Sequence, residues 1–172
     1  MSRRHLVLFM AIMSLGTTSA AAASTSASAI AVAKATVLKP LALLSVQNLD
    51  LGSILLASGG VWSGVTVGIS RSEVFSCSGG NVACFGATQV AKFRVAGSNN
   101  QALIITAPNV ILTNATDPTK TLTLVVDSPA SVTLTNSGNQ GVEFAVGGFI
   151  TLNSSTASGD YSGTLEVTVN YN

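Results

Sequence analysis

The chain has 172 residues, of which 47% are hydrophobic and 9% charged, with eight Lys and Arg against seven Asp and Glu. Charges this few and this balanced argue against nucleic acid or an anionic membrane surface as a partner. A weakly charged surface also gives little protection against association, which suits a subunit of an assembly better than a freely diffusing enzyme.

The first 23 residues have the order of a secretory signal peptide. A basic stretch, MSRRH, precedes the apolar run LVLFMAIMSLG, and the small residues TTSAAAA follow. The apolar run is too short to span a bilayer, and no Cys stands at the junction where a lipoprotein would need one. We therefore expect residues 1–23 to be removed during Sec-dependent export to the periplasm, the cell surface or the medium, with no bilayer-spanning segment left.

Residues 24–40 differ from the rest of the chain. The segment STSASAIAVAKATVLKP is rich in small residues, has almost no turn residues, and ends at a Lys-Pro pair. Its larger apolar and β-branched side chains share one face of an extended strand, with Lys34 between them: Ile30, Val32, Thr36 and Leu38. This composition predicts an N-terminal arm that becomes a strand when it meets a partner, and Pro40 would end the paired run.

From residue 41 onward, apolar and polar residues alternate with a period of two. The runs on one face are Val61, Val65, Val67 and Ile69; Ala91, Phe93 and Val95; Leu103 and Ile105; Leu122, Leu124 and Val126; Val132 and Leu134; and Val142, Phe144 and Val146. Turn residues separate the runs, among them SGG at 58–60, DPT at 117–119 and GG at 147–148. This pattern predicts one all-β domain over 41–172, an antiparallel sandwich or barrel of eight or nine strands.

The only two cysteines are Cys77 and Cys84, separated by SGGNVA. An isolated pair in an exported protein usually oxidises, so we expect a disulfide that staples a surface hairpin around Gly79 and Gly80. A redox site is the more specific interpretation, but it would require two cysteines closer together in the sequence and a neighbouring residue that activates the thiol. A metal site would need further ligands, because two thiolates supply half of a zinc shell.

The sequence contains few candidate catalytic residues. The single histidine, His5, lies in the predicted signal peptide, which removes triad and most zinc-hydrolase designs from the exported protein. The acidic residues are scattered and mostly stand beside turns, and no nucleotide or calcium motif is present. We therefore expect no enzyme activity, no metal and no cofactor.

Trp62 could serve as a carbohydrate platform, although a buried indole in a β core is the more common case. The sequons at Asn114 and Asn153 are short, common motifs.

Four segments together resemble a family of secreted bacterial proteins labelled as a domain of unknown function, number four-four-zero-two. They are LDLGSI at 49–54, AKFRVAGSNNQALIIT at 91–106, VEFAVGGFITL at 142–152 and GDYSGTLEVTVNYN at 159–172. The resemblance runs from about Thr36 to Asn172. Two features depart from the family pattern, which usually has Phe where Leu51 stands and lacks the segment between the cysteines.

That family in turn resembles the spore-coat-U and archaic chaperone–usher pilin group. The resemblance implies an immunoglobulin-like, Greek-key type sandwich that lacks its last strand and receives one from a neighbouring subunit. Partners would then be copies of this chain or related subunits, with a periplasmic chaperone and an outer-membrane usher during assembly. The chain would be an exported structural subunit of a surface filament or coat.

The last residues of the chain fit such an acceptor role. Leu165, Val167, Val169 and Tyr171 lie on one face of the predicted terminal strand, and polar residues alternate with them. An uncovered apolar edge is an aggregation hazard in a monomer, but it is useful where another chain adds a strand. The segment Ala27–Leu38 is the candidate donor.

Two alternatives stay open at this point. The alanines opposite Ile30 and Val32 are small, and Lys34 interrupts the donor face, so the arm could instead fold back on its own domain. A self-contained module could then act as an adhesin that recognises a glycan, with Trp62 and the Cys77–Cys84 hairpin at its contact surface. A β-sandwich glycan hydrolase is a third, weaker reading.

Overall fold

The computed structural model describes residues 26–135 and 140–172, so the predicted signal peptide lies outside the described residues. The described residues contain thirteen β-strands and no helix. The strands are β1 (Ala42–Gln47), β2 (Ser53–Leu56), β3 (Val65–Ile69), β4 (Phe75–Cys77), β5 (Val82–Phe85), β6 (Ala91–Ala96), β7 (Ala102–Thr106), β8 (Val110–Asn114), β9 (Thr121–Asp127), β10 (Ser131–Thr133), β11 (Val142–Leu152), β12 (Tyr161–Ser162) and β13 (Thr168–Tyr171). The predicted all-β class is confirmed, with more strands than expected because several are too short to show a period of two.

All strand pairs within the described residues are antiparallel. The largest sheet has the order β1-β6-β11-β9-β8-β12, and β3 also pairs with β11 and carries β4 at its other edge. A second sheet has the order β10-β7-β13, and β2 and β5 form a separate ribbon. Inward-facing residues of these sheets build two apolar clusters, as in a β-sandwich.

The first core cluster lies between the second sheet and the β6–β11 part of the first. Its buried members are Ala91, Phe93, Val95, Leu103, Ile105, Leu134, Phe144 and Val146. The second core cluster consists of Val67, Val110, Leu124, Ile150 and Leu152. Leu49, Val126 and Leu165 pack against both clusters and connect them. These residues include most of the predicted inward faces, so period-two alternation located the core correctly.

Two local predictions were wrong. Val61 was assigned to a strand, but it is 98% exposed and β3 begins at Val65, because three glycines with positive φ make 59–64 a loop. The glycine pair 147–148 was assigned to a turn, but it lies inside the eleven-residue strand β11. Before this pair β11 pairs with β6, and from it onward β11 pairs with β9 and β3. A side chain at Gly147 would overlap the backbone of residues 69–71, and a side chain at Gly148 would crowd the Leu124 side chain.

The chain divides into two compact units, Met1–Thr36 and Val37–Asn172. The described residues of the first unit, 26–36, form no strand, and Ile30 and Val32 are 99% and 94% exposed. The second unit contains every described strand, beginning with β1 at Ala42. No described helix is long and apolar enough to cross a membrane.

Candidate functional site

The terminal segment has the two-sided character that its sequence predicts. Leu165, Val167, Val169 and Tyr171 are half-buried, whereas the residues between them are exposed. All four pack against the first core cluster, and Leu165 also contacts the second. The strand therefore covers the core with one face and leaves part of each apolar side chain accessible.

One edge of β13 is paired and the other is open. β13 pairs with β7 from Thr168 opposite Thr106 to Tyr171 opposite Leu103, and the Asn172 N–H donates to the Ala102 oxygen at 3.0 Å. In an antiparallel ladder such bonded positions alternate, so the peptide groups of Val169 and Tyr171 point away from β7. No strand within residues 26–135 and 140–172 pairs with that second edge.

The Tyr171 hydroxyl ties the end of β13 to the chain just ahead of β1. It donates to the Lys39 carbonyl oxygen at 2.6 Å and accepts from the Ser98 N–H at 2.8 Å. The Lys39 N–H in turn donates to the Ser98 hydroxyl at 2.7 Å. We call these three residues the Tyr171 anchor. It holds both backbone polar groups of Lys39 and fixes the point at which the arm leaves the domain.

The candidate donor residues lie on the N-terminal side of this anchor. Thr36 and Leu38 are exposed, as are Ile30 and Val32, and no strand is assigned to residues 26–40 of the described chain. Burial of these exposed apolar side chains against another surface would be favourable, because it would remove apolar area from water. The donor role of Ile30, Val32, Thr36 and Leu38 stays a prediction.

The predicted pairing of Cys77 with Cys84 is confirmed, with a Cα–Cα distance of 6.3 Å. The expected simple hairpin is not what the disulfide holds. Cys77 lies in β4, which pairs with β3, and Cys84 lies in β5, which pairs with β2. Because each strand bonds to another partner, the disulfide joins the β2–β5 ribbon to the largest sheet. Both cysteines pack against the second core cluster.

Trp62 lies half-buried against the second core cluster. Its indole N–H is buried without a hydrogen-bond partner among the described residues. Its backbone bonds to Ser154 in both directions, through Trp62 N–H to the hydroxyl and Ser154 N–H to the Trp62 oxygen. The indole therefore contributes apolar area to the second core cluster, and a carbohydrate-binding role for Trp62 stays a prediction.

Asn114 has a structural role that the sequence did not reveal. It is 1% exposed, and its side-chain N–H donates to the Ser158 oxygen at 3.0 Å. Its side-chain oxygen accepts from the N–H groups of Thr116 and Asp117 at 2.9 and 3.1 Å. The amide of the first sequon thus holds the β8–β9 turn and the 158 loop together. Asn153 of the second sequon is exposed.

Six ionisable side chains of the described residues form three separate ion pairs. Arg71 pairs with Asp127 at 3.2 Å and Lys92 with Glu73 at 2.7 Å, and Arg94 pairs with Glu143. The described residues contain no group of three or more His, Cys, Asp or Glu positioned to hold a metal. A shallow depression of about 430 Å³ is lined by Arg94 and Glu143, whose charges already neutralise each other.

Asp117 provides a local electrostatic prediction. Hydrogen bonds from the Thr119 hydroxyl and N–H lower the pKa of the Asp117 carboxyl below its usual range. Because the pKa of Asp117 is lower in the folded state, its ionised carboxyl stabilises the turn at pH values above the unfolded-state pKa. This stabilisation is lost as the pH falls through the folded-state pKa. We expect Thr119→Val to raise the Asp117 pKa, measured by carboxyl-carbon NMR titration. Thr121→Val, which alters no bond to Asp117, should leave the pKa of Asp117 unchanged. An unchanged Asp117 pKa in Thr119→Val would contradict the assignment.

Fold and edge together define an all-β domain of sandwich type with an unpaired edge on its terminal strand. Residues 41–171 match the family model described as Domain of unknown function (DUF4402), and the chain belongs to this family. The predicted family is therefore confirmed. No curated protein and no solved structure gives a significant match. The likeness to spore-coat-U and chaperone–usher subunits stays a prediction.

Proposed function

We propose that this protein is a noncatalytic, exported structural subunit of a bacterial surface filament or coat, and that subunits join when an added strand pairs with the open edge of β13. The observation that carries the proposal is the open edge itself. Peptide groups at Val169 and Tyr171 point away from β7, directly beside apolar side chains that are only half covered.

An added strand would satisfy both deficits of this edge. Each backbone hydrogen bond gained contributes about 0.5–1.5 kcal/mol net, and each apolar side chain covered contributes about 25 cal/mol per Å² of area removed from water. Open edges of soluble proteins are normally blunted by charges, proline or a covering loop. Val167, Val169 and Tyr171 are neither charged nor proline, and Glu166, which alternates with them, lies on the exposed face.

The arm supplies a matching donor. Ile30, Val32, Thr36 and Leu38 alternate along an exposed segment, so an extended arm would present them together on one face. Lys34 falls on the same face, and its long aliphatic stem would let the ammonium group reach water at the edge of the interface. Copies of the chain or related subunits are the proposed partners. A periplasmic chaperone and an usher would be needed during assembly, and the proposal requires no cofactor.

Charge placed on the donor face tests this proposal. Full-length chain without the predicted signal peptide is compared with Ile30→Asp/Val32→Asp and with the matched control Ala29→Asp/Ala31→Asp, which puts the same charge on the opposite face. We expect wild type and control to form concentration-dependent oligomers in sedimentation velocity, and the donor-face variant to stay monomeric. A synthetic peptide of residues 27–38 should bind the monomeric variant. Unchanged assembly of the donor-face variant would overturn the proposal.

A further inference from the structure

The Cys77–Cys84 disulfide connects two parts of the fold that share no strand pairing among the described residues. We propose that this disulfide is a redox-sensitive latch, which holds the β2–β5 ribbon on the second core cluster when oxidised and releases the ribbon when reduced, while the first core cluster stays folded. The inference goes beyond the proposed function, because it concerns a conformational change within one domain and does not depend on association of subunits.

The ribbon covers the second core cluster with one face. Ile54 and Leu56 of β2 and Val82 and Cys84 of β5 are half-buried and pack against that cluster. The register places Ile54 opposite Cys84 and Leu56 opposite Val82, so the four side chains form one continuous apolar surface. The residues on the other face of the ribbon are exposed. The ribbon is therefore a single layer between the second core cluster and water.

The backbone of the ribbon has little pairing with the rest of the domain. Within the described residues its two strands pair only with each other, and one isolated bridge between Asp50 and Gln89 stands at its base. Gly52 and Gly86 lie between this bridge and the strands, both with positive φ, which glycine adopts without strain. These two positions allow the ribbon to pivot. Because a two-stranded ribbon is marginally stable by itself, its order depends on contact with the core.

The disulfide limits how far the ribbon can move. It holds the Cα atoms of Cys77 and Cys84 at 6.3 Å, and Cys77 is fixed in β4 by pairing with β3. The two cysteines are seven positions apart, so the segment between them allows a Cα–Cα separation of up to about 23–25 Å after reduction. A latch of this kind works by chain constraint. It therefore needs neither the closer spacing nor the activating neighbour of a catalytic thiol.

Reduction requires a thiol reagent that reaches the sulfur atoms, and both cysteines are only half-buried. One thiolate of dithiothreitol attacks a sulfur of the disulfide, forms a mixed disulfide and releases the other cysteine as a thiolate, which takes up a proton. The second dithiothreitol thiolate then displaces the bound cysteine. Two electrons pass to the protein, and dithiothreitol becomes its cyclic disulfide. The latch is thus open where thiols are kept reduced and closed where disulfides persist.

Hydrogen exchange measured by mass spectrometry tests the latch on the full chain without the predicted signal peptide. Oxidised protein is compared with protein in dithiothreitol and with Cys77→Val/Cys84→Val, which removes the cross-link but keeps apolar side chains at both positions. We expect the amides of β2 and β5 to exchange at least about tenfold faster in the reduced protein and in the variant. The amides of β6 and β7 should exchange equally in all three samples. Dithiothreitol should have no effect on the variant, which controls for the reagent.

Three results would overturn the proposal. Unchanged exchange of β2 and β5 after reduction would show that packing holds the ribbon without the disulfide. Fast exchange in reduced protein but slow exchange in Cys77→Val/Cys84→Val would assign the effect to the free thiols and not to the lost cross-link. Equal acceleration in β6 and β7, including complete unfolding of the variant, would show that the disulfide stabilises the whole domain. None of these results bears on association at β13, which sedimentation measures separately.

Discussion

Val169→Pro should strongly weaken self-association of the full chain while leaving the fold intact. The Val169 N–H points to the open edge. Proline at this position therefore removes a hydrogen bond that β13 would donate to the added strand, and it removes none of the bonds between β13 and β7. Asn170→Pro is the matched variant, because the Asn170 N–H points to β7 opposite Ile104. Proline at that position should unfold the terminal strand. The two neighbouring substitutions therefore separate assembly from stability.

Sedimentation velocity and thermal melting measure the two effects. We expect Val169→Pro to weaken association at least about tenfold, equivalent to about 1.4 kcal/mol, with a small fall in melting temperature. Val169→Ala controls for the lost side chain, since it keeps the N–H. Asn170→Pro should lower the melting temperature much more than Val169→Pro does. Equal association of Val169→Pro and wild type would show that copies do not join along this edge.

The inward faces of the long strands could be predicted because each strand has one wet side. In β6, Ala91, Phe93 and Val95 are buried, while Lys92 and Arg94 lie on the other side in ion pairs. Apolar and polar residues therefore alternate along the strand, and this period of two is visible in the sequence. The same reasoning placed the terminal apolar face correctly, because alternation in 165–171 is a local property.

Features that depend on distant residues could not be predicted. Tyr171 bonds to Lys39, 132 positions away, and no local pattern signals that contact. The partners of Cys77 and Cys84 follow from sheet order, so spacing alone suggested a hairpin where the structure has a link between sheets. The short strands β4, β10 and β12 have two or three residues, which is too few to show a period.

Gly147 illustrates the same limit, because consecutive glycines usually indicate a turn. Here β11 continues through them, and a side chain at Gly147 would overlap the Ile69 carbonyl oxygen and the backbone at Arg71. Those atoms belong to the end of β3 and the loop after it, which Arg71 ties to Asp127 through its N–H and its guanidinium. These backbone atoms cannot yield as the end of a flexible side chain would.

Gly147→Ala should therefore lower the free energy of unfolding by about 3 kcal/mol, at the upper end of the usual range for overpacking. For a domain of this size that corresponds to a fall in melting temperature of about 6–12 °C. Gly80→Ala is the matched control, because a methyl group there meets nothing within 4 Å and the backbone is not in the left-handed region. It should change the melting temperature by less than about 2 °C.

Calorimetry or circular dichroism of the two variants measures both values. The donor-face variant Ile30→Asp/Val32→Asp is the suitable background, since association would otherwise add to the apparent stability of the folded state. Comparable melting temperatures for Gly147→Ala and Gly80→Ala would mean that β3 and β11 can separate at little cost. The continuous path of β11 past β3 and β9 would then not be what holds the second core cluster beside the first.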